Sequence, residues 1–274
     1  MFKKTMALLI LSLSLILAPA CFARHRILLI ATTTSTDNTG LLDYLAPQFQ
    51  KDTGIELKWV AVGTGKALAL GRNCDVSALL VHAPQAEKHF IKANYGIKRT
   101  PIMYNDFVII GPNSDLANIK GNNATNALKK IAETNSIFIS RGDDSGTNKK
   151  EKQLWQKAKI TPPKKSSWYL QSGQGMMATI GVTNEKNGYT LTDRGTYIKY
   201  AANHDGKPSL IILTQNDKAL KNQYSLITIN PKRCENTKYN SAKQFRKWLV
   251  SKKTQANIDN YKLLNKTLFI ANAK

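Results

Sequence analysis

Short strand patterns alternate with helical patterns along most of this chain, and the alternation limits the folds that it can adopt. Apolar runs bounded by Gly, Thr or Pro predict strands, and apolar residues at helical spacing predict helices. In the first part of the chain the predicted strands are 27–31, 55–62 and 78–81, and the predicted helices are 41–53, 66–71 and 84–93. Strands that alternate with helices favour parallel sheets covered on both faces, so we predict an α/β fold with mostly parallel sheets.

Two long strands, predicted at 103–112 and 224–231, divide the chain into two lobes. The predicted elements between them are helices at 126–133, from 145 and at 175–187, strands at 137–140, 189–192 and 210–213, and a short helix near Tyr197. Two more helices, at 241–250 and 254–263, follow the second long strand. We predict lobe I at 24–103 and 229–274, and lobe II at 104–228, which includes both long strands as hinges. A single continuous α/β domain is the alternative that the pattern leaves open.

The N-terminus has the pattern of a secretion signal. Lys3 and Lys4 precede an apolar run at 6–17, and a small-x-small site ends at Ala23. We therefore predict a signal peptide at 1–23 and export to the periplasm, with cleavage three residues earlier as an alternative. Lipoprotein anchoring at Cys21 is the less favoured alternative, because the residues before it make a poor lipoprotein signal.

Cys74 and Cys234 remain after the predicted cleavage, and the sequence leaves open whether they form a disulfide. A bridge between them would tie the C-terminal part of the chain to lobe I. The histidines show no metal-ligand spacing, so we predict surface or packing roles for them and no metal site. They are His25, His82, His89 and His204.

The formal net charge of +22 raises the question of a nucleic-acid partner. The lysines are scattered as doublets instead of forming a tract, and an exported protein rarely meets nucleic acid. We therefore predict no nucleic-acid partner, and attraction of small anions is one consequence of the charge.

Loops rich in Thr, Ser and Gly follow several predicted strands, where ligands bind in open α/β sheets. Arg141 lies just after one strand, and Ser145-Gly146-Thr147 begins the helix that follows. The amides and the partial positive charge of a helix N-terminus, together with hydroxyls and a guanidinium, would bind a tetrahedral oxyanion. We expect Asp143 and Asp144 to cap amides or brace an arginine. The loops are 32–37, 63–65, 141–147 and 193–196.

Catalytic motifs are weak by comparison, and we predict that the chain is not an enzyme and carries no cofactor. Asp144-Ser145-Gly146 faintly echoes the nucleophile segment of trypsin-like proteases, but the α/β pattern is wrong for that fold and Ser145 has no evident histidine partner. The sequence contains no nucleophile elbow, phosphate-binding loop or dinucleotide fingerprint. A secreted serine hydrolase that uses Ser145 is the remote alternative.

Several motifs in order resemble the tungstate-binding proteins of tungstate ABC importers, and the likeness runs from about residue 28 to the C-terminus. The motifs are Ala31-Thr32-Thr33-Thr34-Ser35-Thr36, Val60-Ala61-Val62-Gly63-Thr64-Gly65, Leu79-Leu80-Val81-His82-Ala83-Pro84, Met103-Tyr104-Asn105-Asp106-Phe107, Ser140-Arg141-Gly142-Asp143-Asp144-Ser145-Gly146-Thr147 and Leu191-Thr192-Asp193-Arg194-Gly195-Thr196. The spacing from Arg141 to Thr147 also resembles that of periplasmic phosphate-binding proteins. One departure is Asn148, which stands where the family often has His.

The resemblance implies a two-lobed, type II periplasmic binding protein that closes on tungstate in a cleft between its lobes. It further implies a monomer that delivers the oxyanion to a permease in the inner membrane. The residues that it implicates in substrate binding are Thr32, Thr33, Ser35, Thr64, Arg141, Ser145, Thr147 and Arg194. Molybdate remains an alternative ligand, since it shares charge and shape with tungstate. Phosphate remains another, because Asp143 or Asp144 could accept its proton.

Overall fold

The computed structural model of the protein describes residues 26–162 and 166–273. The predicted signal peptide and the alternative anchor Cys21 lie outside the described residues. The strands are β1 (Arg26–Thr33), β2 (Ile55–Val62), β3 (Ala78–Val81), β4 (Gly96–Pro112), β5 (Phe138–Ser140), β6 (Tyr169–Gln171), β7 (Thr190–Asp193), β8 (Leu210–Thr214), β9 (Lys221–Ile229), β10 (Lys262–Leu263), β11 (Lys266–Thr267) and β12 (Ile270–Ala271). The helices are α1 (Thr34–Asp37), α2 (Leu41–Thr53), α3 (Thr64–Arg72), α4 (Pro84–Lys92), α5 (Ala124–Glu133), α6 (Gly146–Lys157), α7 (Met176–Glu185), α8 (Arg194–Ala202), α9 (Tyr239–Leu249) and α10 (Lys252–Asn260). A 3₁₀ turn covers Lys218–Leu220.

The main sheet has the strand order β12-β4-β9-β3-β1-β2, with β7 and β8 also paired to β4. Strand β1 runs parallel to β2 and β3, but β9 runs antiparallel to β3 and β4, and β7 and β8 run antiparallel to β4. The prediction of mostly parallel sheets is therefore wrong. The chain leaves one lobe along β4 and returns along β9, so these two strands run in opposite directions.

Strand β4 changes partners where it passes between the lobes. It pairs with β9 up to Asp106, which lies opposite Lys221, and from Phe107 onward it pairs with β7 and β8. This arrangement is the two-lobed α/β architecture predicted from the sequence, with β4 and β9 as connecting strands. The boundaries at 103/104 and 228/229 stay predictions.

Each lobe has hydrophobic cores of its own. In lobe I, β1 and β3 are buried between a large cluster that includes Phe49, Phe245 and Trp248 and a smaller one around Phe90. In lobe II, a cluster around Trp155 packs with residues of β4, β5 and β7, and a smaller one includes Tyr200. The buried sheets thus hold the loops at their strand ends in fixed positions.

Cys74 and Cys234 form a disulfide, which answers the question that the sequence left open. Their Cα atoms are 5.3 Å apart, and 160 positions of sequence separate them. The bond ties the segment after β9 to the segment after α3, as expected for a bridge back to lobe I.

No helix among the described residues combines the length and the apolar character that crossing a membrane requires.

Candidate oxyanion-binding site

The N-termini of α1, α3 and α6 meet around the side chain of His82. The His82 Nε2 atom lies 3.1 Å from both Thr33 Oγ1 and Ser35 Oγ, at the start of α1. A Cβ atom built on Gly146, the first residue of α6, would lie 2.8 Å from His82 Cε1 and 3.1 Å from Thr64 Oγ1. Because Gly146 belongs to lobe II and the other residues to lobe I, the two lobes are closed on each other here.

Two of these helices begin at a residue whose side chain caps them, and the third does not. Thr33 accepts a hydrogen bond from the Thr36 amide, and Ser145 accepts one from the Asn148 amide. Helix α3 follows Gly63, which offers no side-chain cap. The first amides of α3 therefore have no side-chain acceptor from their N-cap, which suits them to an anion.

The hydroxyls of Thr64 and Thr147 are buried without a hydrogen-bond partner among the described residues. Thr64 is fully buried and Thr147 is 2% exposed. A buried, unpaired hydroxyl costs about 1–3 kcal/mol, so two of them in the first turns of adjoining helices of opposite lobes indicate a ligand that accepts hydrogen bonds.

Arg141 supplies the positive charge of this region. Its side chain is 7% exposed, and its Nη2 atom lies 2.5 Å from Asp143 Oδ2. Its Nε atom donates to the Gln174 carbonyl at 3.2 Å. These two acceptors orient the guanidinium, while Nη1 makes no hydrogen bond to the described part of the chain.

Both aspartates of the loop are engaged with cations, but only Asp143 braces an arginine and caps an amide as the sequence predicted. Asp143 braces Arg141 and accepts a hydrogen bond from the Ser145 amide at 3.2 Å, and Asp144 forms an ion pair with Lys149. These ion pairs occupy part of the lone-pair capacity of both groups and so weaken them as acceptors for the proton of an anion such as hydrogen phosphate.

Thr32 and Arg194 are bound to other parts of the protein. The Thr32 hydroxyl donates to the Leu80 carbonyl at 2.9 Å and so fixes the end of β1 to β3. The Arg194 guanidinium binds both carboxylate oxygens of Asp106 at 2.6 Å and the Gln215 side chain at 3.0 Å. No hydrogen bond joins Arg194 to the other predicted site residues in the described ranges, so its role stays a prediction.

His82 is the neighbour of the site that sequence reasoning missed, since we expected only surface or packing roles for histidines. It is 4% exposed, and burial lowers the pKa of His82 to about 4, so its ring is neutral at pH 7. The nearby charge of Arg141 also lowers this pKa. Its position directly after β3 could have indicated a place in the site, since the other predicted site loops also follow strands.

Ser145 has the contacts of a helix cap and none of those of a nucleophile. Its hydroxyl accepts from the Asn148 amide at 3.2 Å, and no hydrogen bond joins it to a histidine in the described part of the chain. The structure therefore gives no support to a serine hydrolase. Nor do the described residues contain a group of three potential His, Cys, Asp or Glu metal ligands.

Fold and site together define a two-lobed substrate-binding protein with an anion site in its cleft. Residues 23–253 match the model of the PBP superfamily domain. The chain is 54% identical to the tungstate-binding protein TupA of Campylobacter jejuni over 240 residues, which is 88% of this chain and 89% of that protein.

Two solved structures are also similar. The tungstate-binding protein TupA from Desulfovibrio alaskensis G20 has 59% identity and a TM-score of 0.84, covering 91% of this chain and 100% of that one. The tungstate ABC transporter structure from Geobacter sulfurreducens has 41% identity and a TM-score of 0.77, covering 86% of this chain and 98% of that one. The chain belongs to the TupA family of tungstate-binding proteins, within the PBP superfamily.

Proposed function

We propose that this protein binds tungstate in the periplasm and delivers it, as a monomer, to the permease of an ABC importer. The observation that carries the proposal is the pair of hydroxyls, Thr64 and Thr147, that have no partner among the described residues and lie in the first turns of adjoining helices of the two lobes. The names of the relatives identify tungstate as the oxyanion of the family.

The proposed ligands are donors that surround a tetrahedral dianion from both lobes. Lobe I contributes Ser35 and Thr64 together with the amides at the start of α3, and lobe II contributes Arg141 and Thr147. Hydrogen bonds to charged groups stabilise by roughly 1.5–3 kcal/mol each, so several of them give tight binding after the costs of closure. Thr32, Thr33, Ser145 and Arg194 stay in the proposal as residues that shape these loops or complete the donor set.

Phosphate fits this arrangement less well than tungstate or molybdate. Hydrogen phosphate needs an acceptor for its proton, and Asp143 and Asp144 are weakened as acceptors because Arg141 and Lys149 already pair with them. Sulfate is smaller and would leave gaps between the donors. The site therefore favours a large, fully deprotonated tetrahedral anion.

Calorimetric titration with tungstate, molybdate, phosphate and sulfate tests the proposal. We expect one-to-one binding of tungstate, with phosphate and sulfate far weaker and with little dependence on salt, because the contacts are desolvated. Equal binding of molybdate would widen the substrate range. Absence of binding by all four anions would refute the proposed function, and binding that collapses steeply with salt would instead indicate a surface polyanion site.

Replacement of Thr64 or Thr147 by valine should have opposite effects on affinity and on stability. Each substitution removes a hydroxyl that can donate to the anion, so tungstate affinity should fall about tenfold. The free energy of unfolding without ligand should rise by up to about 1 kcal/mol, because a buried, unpaired hydroxyl is lost.

Thr100→Val is the matched control for both measurements. The Thr100 hydroxyl is also buried without a partner among the described residues, but it lies on β4 opposite Leu226, within lobe I. We expect the same gain in stability with unchanged tungstate affinity. Wild-type affinity in both site variants would remove Thr64 and Thr147 from the ligand set.

A further inference from the structure

His82 contacts three parts of the molecule: the start of α1, the connecting strand β9 and the first residue of α6. Its Nε2 atom faces Thr33 and Ser35 at 3.1 Å. Its Nδ1 atom lies 2.8 Å from Asn222 Oδ1, on the connecting strand β9. Its Cε1 atom lies against Gly146 of lobe II, where the backbone comes so close that a Cβ atom would not fit.

The hydrogen-bond pattern assigns the tautomer of His82. The Asn222 Nδ2 atom donates to Asn105 Oδ1 at 2.8 Å and to the Tyr224 hydroxyl at 3.1 Å, so the amide oxygen of Asn222 faces the histidine. An oxygen at this position requires a proton on Nδ1. Because the ring is neutral, Nε2 is then an acceptor.

An acceptor at Nε2 determines what the two neighbouring hydroxyls can do. Thr33 Oγ1 already accepts a hydrogen bond from the Thr36 amide at 3.2 Å, and it lies 3.1 Å from Ser35 Oγ. Nε2 takes up the hydroxyl hydrogen of one of this pair. Thr33 Oγ1 also lies 2.7 Å from Thr36 Oγ1. In the arrangement in which Thr33 donates to Nε2 and accepts from the amide and the hydroxyl of Thr36, both lone pairs of Thr33 are occupied, and the Ser35 hydrogen is left for an oxyanion.

Asn222 in turn is held by residues on both connecting strands. Asn105 lies on β4 and Tyr224 on β9, and the Tyr224 ring stacks on the His82 imidazole with centroids 4.8 Å apart. His82, Asn105 and Tyr224 are all buried. The orientation of the imidazole therefore depends on the strands that join the lobes and not only on its own loop.

We propose that His82 is a positioning residue that accepts the Thr33 hydroxyl hydrogen, leaves the Ser35 hydroxyl to donate to the bound oxyanion, and links both to the connecting strands. The inference rests on the proposed oxyanion-binding function. His82 then affects the affinity for tungstate through its contacts with the Ser35 and Thr33 hydroxyls.

A double-mutant cycle between His82→Asn and Ser35→Ala tests this inference by titration with tungstate. Asparagine places an amide near the position of Nδ1 and can keep the contact with Asn222, but it cannot reach the two hydroxyls. We expect each single variant to lose about tenfold in affinity, and the double variant to lose no more than the weaker-binding single one. Losses that multiply in the double variant, or wild-type affinity in His82→Asn, would overturn the proposal.

His82→Gln provides the conservative comparison, because its amide can reach the position of Nε2. We expect His82→Gln to bind tungstate more tightly than His82→Asn. A purely structural role of His82 predicts no difference in this direction, and tighter binding by His82→Asn counts against the proposal. If His82→Asn does not fold, the cycle is run with His82→Gln, for which non-additivity is still expected. His89→Asn, at an exposed position on α4, is the matched control and should bind like the wild type. Failure of the wild type itself to bind tungstate would refute the proposed function. Tight binding by the wild type together with wild-type affinity in His82→Asn would instead refute only the role of His82.

Discussion

Arg141→Met is expected to weaken tungstate binding about a hundredfold or more while the protein stays folded. The variant removes a charged donor, and it also leaves the Asp143 carboxylate without its partner beside a dianion. Hydrogen bonds to charged groups are worth roughly 1.5–3 kcal/mol, and the repulsion from Asp143 adds to this loss. Calorimetric titration measures the effect, and circular dichroism checks the fold.

Two further arginine variants make the Arg141 result interpretable. Arg72→Met removes the same charge from an exposed position at the end of α3 and should leave affinity unchanged. Arg194→Met should cost less than Arg141→Met, because Asp106 binds the Arg194 guanidinium through both oxygens. Wild-type affinity in Arg141→Met would contradict the proposed site.

Replacement of Cys74 and Cys234 by alanine is expected to lower the free energy of unfolding by about 4–5 kcal/mol. The bond closes a loop of 160 positions, and the loss of this constraint on the unfolded chain predicts a penalty of that size. Denaturation with guanidinium chloride measures the change, and reduction of the wild type should reproduce it. Unchanged stability in the double variant would show that the bond does not constrain the unfolded chain.

The same variant should bind tungstate nearly as well as the wild type at temperatures where it is folded. Cys74 follows the C-terminal end of α3, whereas the site lies at its N-terminal end, and a nine-residue helix is about 13 Å long. A large loss of affinity in the folded variant would instead show that the disulfide shapes the anion site.

Most of the fold could be predicted because its strands and helices carry clear local patterns. The strands at 55–62 and 78–81 begin and end where the sequence placed them. The helix at 84–92 ends within a residue of its prediction, and the helix at 146–157 begins within a residue of its predicted start. The sequence pattern did not predict the first part of β4, the short strand β6 or the C-terminal strands. Lys98 and Arg99 interrupt the apolar pattern of β4. The short strands are defined by their hydrogen bonds to partner strands and have no clear local pattern.

Strand direction could not be predicted in the same way. Local pattern does not show that β4 and β9 cross between lobes side by side, and this crossing produces the antiparallel pairs of the main sheet. Hydrophobic periodicity reports which face of a strand is buried but not which neighbour it will have.

The candidate site was predictable in its loops but not in all of its contacts. Arg141 and Thr147 follow from the chemistry of a helix N-terminus after a strand. The role of His82 depends on Asn222, 140 positions away in the chain, and the pairing of Arg194 with Asp106 depends on a contact across 88 positions. Such partners are set by tertiary structure, so no local spacing reveals them.

The most direct test of the proposed site is a crystal structure of the protein with tungstate, using anomalous scattering at a tungsten absorption edge to place the metal. We predict one strong peak between the N-termini of α3 and α6, with tungstate oxygens within hydrogen-bond distance of the Thr64 and Thr147 hydroxyls and the Arg141 guanidinium. A peak outside this cleft, for example beside Arg194 and Lys221, would contradict the proposed site.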